Sequence, residues 1–377
     1  MKESLYLLII RLLSFFPVRR KKILFMSYYG SQYGCSPKYL SQYMVASCLG
    51  WDIVWVFTNP EKYEIDGVRK VRYLSLRYFY ELCTAQVIVT NYRMTKLFRK
   101  RKNQLYIQTW HSSLRLKAIE QDAESTLPPH YVEMAKHDSS QTDVFLSGCR
   151  CSTEIFERAA WFKGPIISSG TPRIDVLMSR DEALTYRVKQ NLCLAATDHV
   201  LLYAPTFRKG NSLKYYDIDF EGLTAKLKAV YGGQWRVLVR LHPHLRDFSH
   251  KLLKDHKDIL DATLYDDIQE LLYVSDIVIS DYSSLIFDFA LTRRMCVLYV
   301  PDLDEYTRTD RKLYFDINTL PFPKARNNAE LLGAFTEFNR DVYKKNLDSF
   351  LENVGSYETG HASKNVVEYI EHWISNH

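Results

Sequence analysis

Glycine is scarce in this chain, at 14 of 377 residues. Neither GxGxxG nor GxxxxGKS/T occurs, which removes the main support for a simple dinucleotide fold or a P-loop. Seven cysteines (Cys35, Cys48, Cys83, Cys149, Cys151, Cys193 and Cys296) are scattered and odd in number, with no CxxC pair. That pattern fits reduced thiols in a cytosolic protein and argues against a disulfide scaffold. No Cys/His cluster has metal-ligand spacing, so neither a metal nor another cofactor is expected. Apolar runs stay well short of the ~20 residues a spanning helix needs. Low-complexity stretches are missing too, which excludes disorder as the main state.

What is present is an ordinary globular composition, 46% hydrophobic and 25% charged, long enough for two or three domains. The net charge of +6 is uneven. Two basic runs, Arg19-Arg20-Lys21-Lys22 and Arg99-Lys100-Arg101-Lys102, exceed it between them, so the rest of the chain is slightly acidic. Basic runs of this kind suit an acidic surface, lipid headgroups or nucleic acid. Nucleic acid is disfavoured, because no aromatics interleave with the basic residues and no nucleic-acid-binding motif accompanies them.

Residues 5–16 read LYLLIIRLLSFF, followed by Pro17 and the first basic run. The stretch is too short to span a bilayer, and its charge follows the apolar part, unlike a secretory signal. Two readings remain. One is a buried N-terminal helix. The other is an interfacial helix on the cytoplasmic leaflet, with Arg19, Arg20, Lys21 and Lys22 against anionic lipid.

Short apolar runs alternate with helical patterns along most of the chain. They predict strands over 23–29, 53–58, 87–91, 105–110, 144–147 and 166–169. After a polar segment at 179–190 the rhythm restarts, with strands over 200–205, 237–242, 277–280 and 296–301. Helical patterns cover 36–49, 268–275, 284–293 and the stretch from Asn328. Continuous apolar strands separated by helices indicate parallel sheets covered on both faces, here as two doubly wound domains with a cleft between them.

Ligands of such sheets gather at the carboxyl ends of the strands. There the sequence places Gln108-Thr109-Trp110-His111-Ser112-Ser113, Pro205-Thr206-Phe207-Arg208, Arg240-Leu241-His242-Pro243 and Ser280-Asp281-Tyr282-Ser283-Ser284. Ser283 and Ser284 stand where N-caps belong, beside backbone N–H groups suited to phosphate, with Asp288 one turn later. His111 and His242 each follow a strand, one in each half. Either imidazole suits proton transfer or phosphate charge, and Asp122 is a substitute base.

Taken together these strings resemble the CDP-glycerol glycerophosphotransferases of teichoic acid and capsule synthesis. QTWHSS at 108–113 resembles that family's QTWHGT, GTPRID at 170–175 its GYPRND, and APTFR at 204–208 its APTWR. RLHP at 240–243 matches outright, SDYSS at 280–284 followed by FDFA at 287–290 matches closely, and 314–316 and 360–367 follow the C-terminal pattern. Three positions depart from the family: Ser112 stands for Gly, Thr171 for Tyr and Ile174 for Asn.

The resemblance implies a GT-B-like α/β fold and transfer of glycerol phosphate, or a related polyol phosphate, from CDP-glycerol or CDP-ribitol to a hydroxyl, releasing CMP. It implies a membrane-associating segment at 1–20, an acceptor-side Rossmann-like domain at 21–175, a CDP-donor domain at 176–345, and helices at 346–377 packing back across the domains. His111 and His242 become the expected catalytic pair. Pro205, Thr206, Arg208, Arg240, His242, Asp281, Ser283, Ser284 and Asp288 become the expected donor contacts. The acceptor is a lipid-linked saccharide or polyol phosphate, and the place of work is the cytoplasmic face of a bacterial membrane, held peripherally. The competing readings are a GT-B glycosyltransferase using a nucleotide sugar and a non-catalytic polymer- or lipid-binding relative.

Overall fold

The computed structural model describes residues 2–208, 213–241, 259–309 and 312–377. Two compact units emerge. The first holds Met1–Ser113, Ile119–Val176 and Gly355–His377; the second holds Leu114–Ala118 and Leu177–Val354. The final stretch of chain therefore belongs to the first unit.

In the first unit seven parallel strands form one sheet: β1 (Arg19–Met26), β2 (Asp52–Phe57), β3 (Arg69–Arg72), β4 (Ala85–Thr90), β5 (Leu105–Gln108), β6 (Val144–Leu146) and β7 (Ile166–Ile167). Their order is β3-β2-β1-β4-β5-β6-β7, so the winding reverses between β1 and β4. Alternate side chains of β1 explain why its second half, residues 23–26, is continuously apolar. Ile23 and Phe25 pack with Leu40 and Met44 of the helix Cys35–Ala46 and with Val366, Val367, Ile370 and Ile374 of the helix Ala362–Asn376. Leu24 and Met26 join Phe79 and Leu82 of the helix Leu76–Thr84 on the opposite face. Both faces are thus covered.

Six parallel strands form the second sheet: β8 (His199–Tyr203), β9 (Trp235–Val239), β10 (Ile259–Asp261), β11 (Ile277–Ser280), β12 (Met295–Tyr299) and β13 (Lys324–Ala325). The order β10-β9-β8-β11-β12-β13 reverses between β8 and β11.

The first helix, Lys2–Leu13, lies between the two sequence readings of the N-terminal segment. Its Ile10 is buried among Phe79, Leu82 and Cys83, and the Tyr6 ring meets Phe79 at 5.1 Å. The opposite face leaves Leu5, Leu8 and Leu12 exposed, and Phe15, just beyond the helix, is exposed to 83%. Among the described residues no helix is long and apolar enough to cross a membrane.

The first basic run departs from expectation in one residue. Arg19, Arg20 and Lys21 are exposed, but Lys22 is a buried strand residue ion-paired with Glu81 and donating to Thr84 Oγ1 at 2.7 Å. Burial pulls the Lys22 ammonium below its ordinary pKa, with Glu81 opposing. Lys22 therefore cannot contact lipid, because its place on β1 turns it into the unit. The second run meets the segment after the first helix, where Arg101 donates to the Phe16 carbonyl at 2.7 Å.

Candidate active site

In open parallel sheets the crevice for ligands opens where the strand order reverses, at the carboxyl ends. Each unit places its polar loops there.

In the second unit Ala204-Pro205-Thr206 leaves β8 beside Ser280-Asp281, which leaves β11. The loops are tied directly: Ser280 Oγ donates to the Ala204 carbonyl at 2.7 Å, and the Thr206 N–H donates to Asp281 Oδ1 at 2.8 Å. Arg208 is buried beneath them. Its guanidinium pairs with Asp281 at 2.9 Å and with Asp302 at 2.6 Å, and donates to the Thr206 carbonyl at 2.7 Å. Burial works against the Arg208 charge, yet Asp281 and Asp302 outweigh it and hold the guanidinium above arginine's ordinary pKa. Tyr282 completes the cluster. It donates to Asp302 Oδ1 at 3.0 Å and stacks on Tyr306 at 3.6 Å.

This geometry buries three expected donor contacts. Arg208 and Asp281 are paired with each other, and Arg208 with Asp302 as well, so their charges meet protein partners within the unit. Asp288 is fully buried, its carboxylate 3.5 Å from Gln269 Nε2. The helix that carries it, Leu285–Ala290, turns that side toward the helix Ile268–Val274.

Ser283 and Ser284 remain half-exposed. Ser284 stands at the N-cap position but has helical backbone angles and does not cap; its Oγ accepts from the Leu116 N–H at 3.2 Å instead. With only six residues in the helix, the hydroxyls matter more than its dipole. Pro205 and Thr206 after β8 and Arg240 after β9 are half-buried, and Thr206 Oγ1 is a buried hydroxyl without a hydrogen-bond partner among the described residues. Arg240 donates to the Asp266 carbonyl at 3.3 Å. His242 lies outside the described residues.

In the first unit the reversal lies between β1 and β4. Tyr28 and Tyr29 follow β1, Asn91 and Tyr92 follow β4, and Trp110 and His111 follow β5. The His111 ring stacks on Trp110 at 5.0 Å, with Tyr92 at 5.7 Å and Tyr28 at 6.4 Å. Its Nδ1 lies 3.4 Å from the Asn91 carbonyl. A carbonyl only accepts, so this contact puts the proton on Nδ1 and leaves Nε2 as the basic nitrogen.

Buried groups hold this arrangement from behind. Arg93 lies 5.5 Å from the Trp110 ring and reaches Asp138 at 3.1 Å and Glu120 at 3.3 Å. Arg173 donates to the His111 carbonyl and, at 3.1 Å, to Cys35 Sγ. The turn carrying Arg173 is latched to the end of the chain. Thr171 donates its N–H (2.9 Å) and hydroxyl (2.7 Å) to Glu358, while Asp175 accepts the Ala362 and Ser363 N–H groups at 2.9 and 2.7 Å. Burial pushes the Asp175 carboxyl above its ordinary pKa, with those donors opposing. Asp122 is ion-paired with Arg158 at 2.8 Å.

Sequence reasoning had no role for Asp302, Tyr306, Asn91, Tyr29, Tyr92 or Glu358. Tyr29 and Tyr92 were within reach of the strand-end rule, and Arg173 already stood in a quoted motif. A groove of about 750 Å³ bordered by Phe322, Gly333 and Val342 contains none of the expected site residues.

Two parallel sheets, each with its polar loops at a reversal of strand order, define a GT-B-like protein. A family model described as CDP-glycerol:poly(glycerophosphate) glycerophosphotransferase matches residues 8–372, and the chain belongs to that family. It is 30% identical over 381 residues to the teichoic acid poly(glycerol phosphate) polymerase of Bacillus spizizenii, covering 97% of this chain and 95% of that protein. The polymerase of the same name from Staphylococcus epidermidis is 31% identical over 371 residues, 94% of this chain, and the chain spans only 51% of its length. The solved structure of the wall teichoic acid polymerase TagF matches with a TM-score of 0.86 and 30% identity, over 99% of this chain and 93% of that one. A variant of that polymerase soaked with CDPG matches at 0.85. A UDP-N-acetylglucosamine 2-epimerase from Listeria monocytogenes, at 11% identity and a TM-score of 0.56, shares the fold alone.

Proposed function

We propose that this chain transfers glycerol phosphate, or a related polyol phosphate, from CDP-glycerol to a hydroxyl of a lipid-linked or polymeric acceptor in teichoic acid or capsule synthesis, releasing CMP. The observation that carries this reading is the position of the family's motifs at the carboxyl ends of parallel strands: APTFR and SDYSS follow β8 and β11, which flank the reversal of the second sheet, and QTWHSS follows β5, the strand next to the reversal of the first. On this reading the first unit is the acceptor side and the second binds the donor.

The chemistry divides accordingly. The acceptor oxygen attacks the β-phosphorus, the bond from that phosphorus to the bridging oxygen breaks, and the oxygen leaves with CMP. His111 Nε2 takes the acceptor proton, its Nδ1–H steered by the Asn91 carbonyl. Ser283, Ser284 and His242 contact the pyrophosphate, with Pro205, Thr206 and Arg240 lining the donor pocket. Arg208, Asp281 and Asp302 keep the two donor loops in register.

The same reading holds the protein peripherally at the cytoplasmic face of the membrane. Its support is the exposed face of Leu5, Leu8, Leu12 and Phe15, flanked by exposed Arg19, Arg20, Lys21, Arg99 and Lys102. Such a helix lies in the headgroup region, aided by anionic lipid.

The test is CMP release from CDP-glycerol and from CDP-ribitol with saccharide- and polyol-phosphate-terminated acceptors. Release from at least one CDP-polyol is expected, with the donor KM of Ser284→Ala raised about tenfold by loss of a hydrogen bond to a charged group. No release from either donor with any acceptor refutes the reading.

A further inference from the structure

We propose that the tyrosine cluster around His111 is an acceptor subsite for the ring of a sugar, so that the attacking hydroxyl is carried by a saccharide terminus and not by an acyclic polyol phosphate. This rests on the reading of His111 as the acceptor-side base.

Position comes first. Tyr28, Tyr29 and Tyr92 leave β1 and β4, the two strands flanking the reversal point, and His111 leaves the next strand, β5. The rings gather there: Tyr29 meets Tyr92 edge-on at 4.8 Å, Tyr28 meets Tyr92 at 5.8 Å, and both Tyr28 and Tyr92 approach the His111 ring. All three tyrosines are half-buried, neither core nor free surface.

The backbone is strained to achieve this. Tyr28 and Tyr29 have φ of 46° and 56°, two consecutive non-glycine residues in the left-handed region, and Trp110 has φ of 54°. Such a residue is strained and persists only where its surroundings over-determine it, as at ligand sites. Here the surroundings do. The Tyr28 N–H is held by Asn91 Oδ1 at 3.0 Å, and Gly30 closes against the Phe57 backbone so tightly that a Cβ would sit 3.1 Å from it. The strain serves to hold two tyrosine rings at the crevice, because packing alone would be met by ordinary apolar residues in relaxed backbone.

Chemistry narrows the ligand. The Tyr29 and Tyr92 hydroxyls make no hydrogen bond among the described residues. Burial, then the Tyr92 hydroxyl, raises the Tyr29 phenol above its ordinary pKa, which keeps it a neutral donor. A pyranose offers both a C–H face for an aromatic ring and a ring of hydroxyls for such tips. A polyol-phosphate terminus carries a charge within a few bonds of its hydroxyl and needs a cation. The rings that stack on or border His111 are all uncharged, and the two nearby guanidiniums are buried and engaged, Arg93 by Glu120 and Asp138 and Arg173 by the His111 carbonyl and Cys35 Sγ.

Saturation-transfer NMR on the full chain tests this directly, with methyl hexopyranosides and sn-glycerol 3-phosphate as probes. Transfer to the pyranoside ring protons is expected for the wild type. The affinity should fall about two- to tenfold in Tyr92→Ala and in Tyr29→Ala. Tyr92→Phe and Tyr29→Phe, which keep ring and fold, should lose less. In turnover, kcat/KM of the wild type should be higher for a sugar-terminated than for a glycerol-phosphate-terminated acceptor, and Tyr92→Ala should narrow that preference. No transfer to the pyranosides, or equal change toward both acceptors, overturns the proposal. A wild type that binds pyranosides through Tyr29 and Tyr92 yet releases no CMP from any donor upholds the subsite and refutes the transferase reading.

Discussion

Replacing Asp302 by Asn tests whether the buried cluster of the second unit holds the donor loops. Asp302 accepts two bonds from Arg208, at 2.6 and 3.1 Å, and one from the Tyr282 hydroxyl at 3.0 Å. The amide keeps one acceptor oxygen and removes the charge. It also turns an NH₂ group toward a guanidinium that cannot deprotonate. Breaking a buried pair typically costs ~3–5 kcal/mol. Because Asp281 stays 2.9 Å from Arg208 and retains part of the pairing, the lower end applies, about 3 kcal/mol. For a unit of this size that is a fall of roughly 6–12 °C in melting temperature. Scanning calorimetry measures the fall, and hydrogen exchange locates it: amides of residues 203–208 and 280–284 should lose protection while those of β1 and β4 keep theirs. A shift below ~1 kcal/mol, or uniform loss across both sheets, refutes the reasoning.

Two further outcomes follow from the first unit. Burial disfavours the Glu81 carboxylate, but Arg69 and Lys22 overcome it and hold its pKa down to about 2, against an ordinary 4.5. Its contribution is therefore complete above pH ~4.5 and is lost as the pH falls toward 2; urea midpoints between pH 6 and pH 3 should drop more in the wild type than in Glu81→Gln, and equal drops contradict the assignment. Leu8, Leu12 and Phe15 are exposed, so changing all three to Glu should leave the melting temperature within a few degrees while abolishing co-sedimentation with anionic vesicles. Unchanged sedimentation removes the membrane role of that helix.

Most of the fold was legible because burial on both faces writes itself into composition. The second half of β1 and most of β2, β4, β8, β11 and β12 are apolar runs. β3 was missed because it reads RKVR and buries only Val71. β13 (Lys324-Ala325) and β10 (Ile259-Leu260-Asp261) are short and each carries a charged residue, whereas the equally short β7 and β6 are wholly apolar and were legible. Register inverted the meaning of Lys22: a basic run looks uniform in sequence, whereas the strand turns its last member inward beside Glu81. The site was legible as strand ends and not as contacts. Arg208 looks like a free cation until Asp281 and Asp302, far apart in sequence, converge on it. Asp288 is one turn from Ser284 as expected, yet faces the neighbouring helix. Nothing local marks Thr171 as the partner of Glu358.

The central claim is that His111 is the base that activates the acceptor. It is tested most directly by CMP release from CDP-glycerol by His111→Ala at saturating acceptor, with CDP-glycerol affinity measured by calorimetry on the same preparation. A base acts only in the transition state, so donor affinity should stay within about twofold while turnover falls at least ~100-fold. Turnover near that of the wild type with intact donor binding would contradict the account.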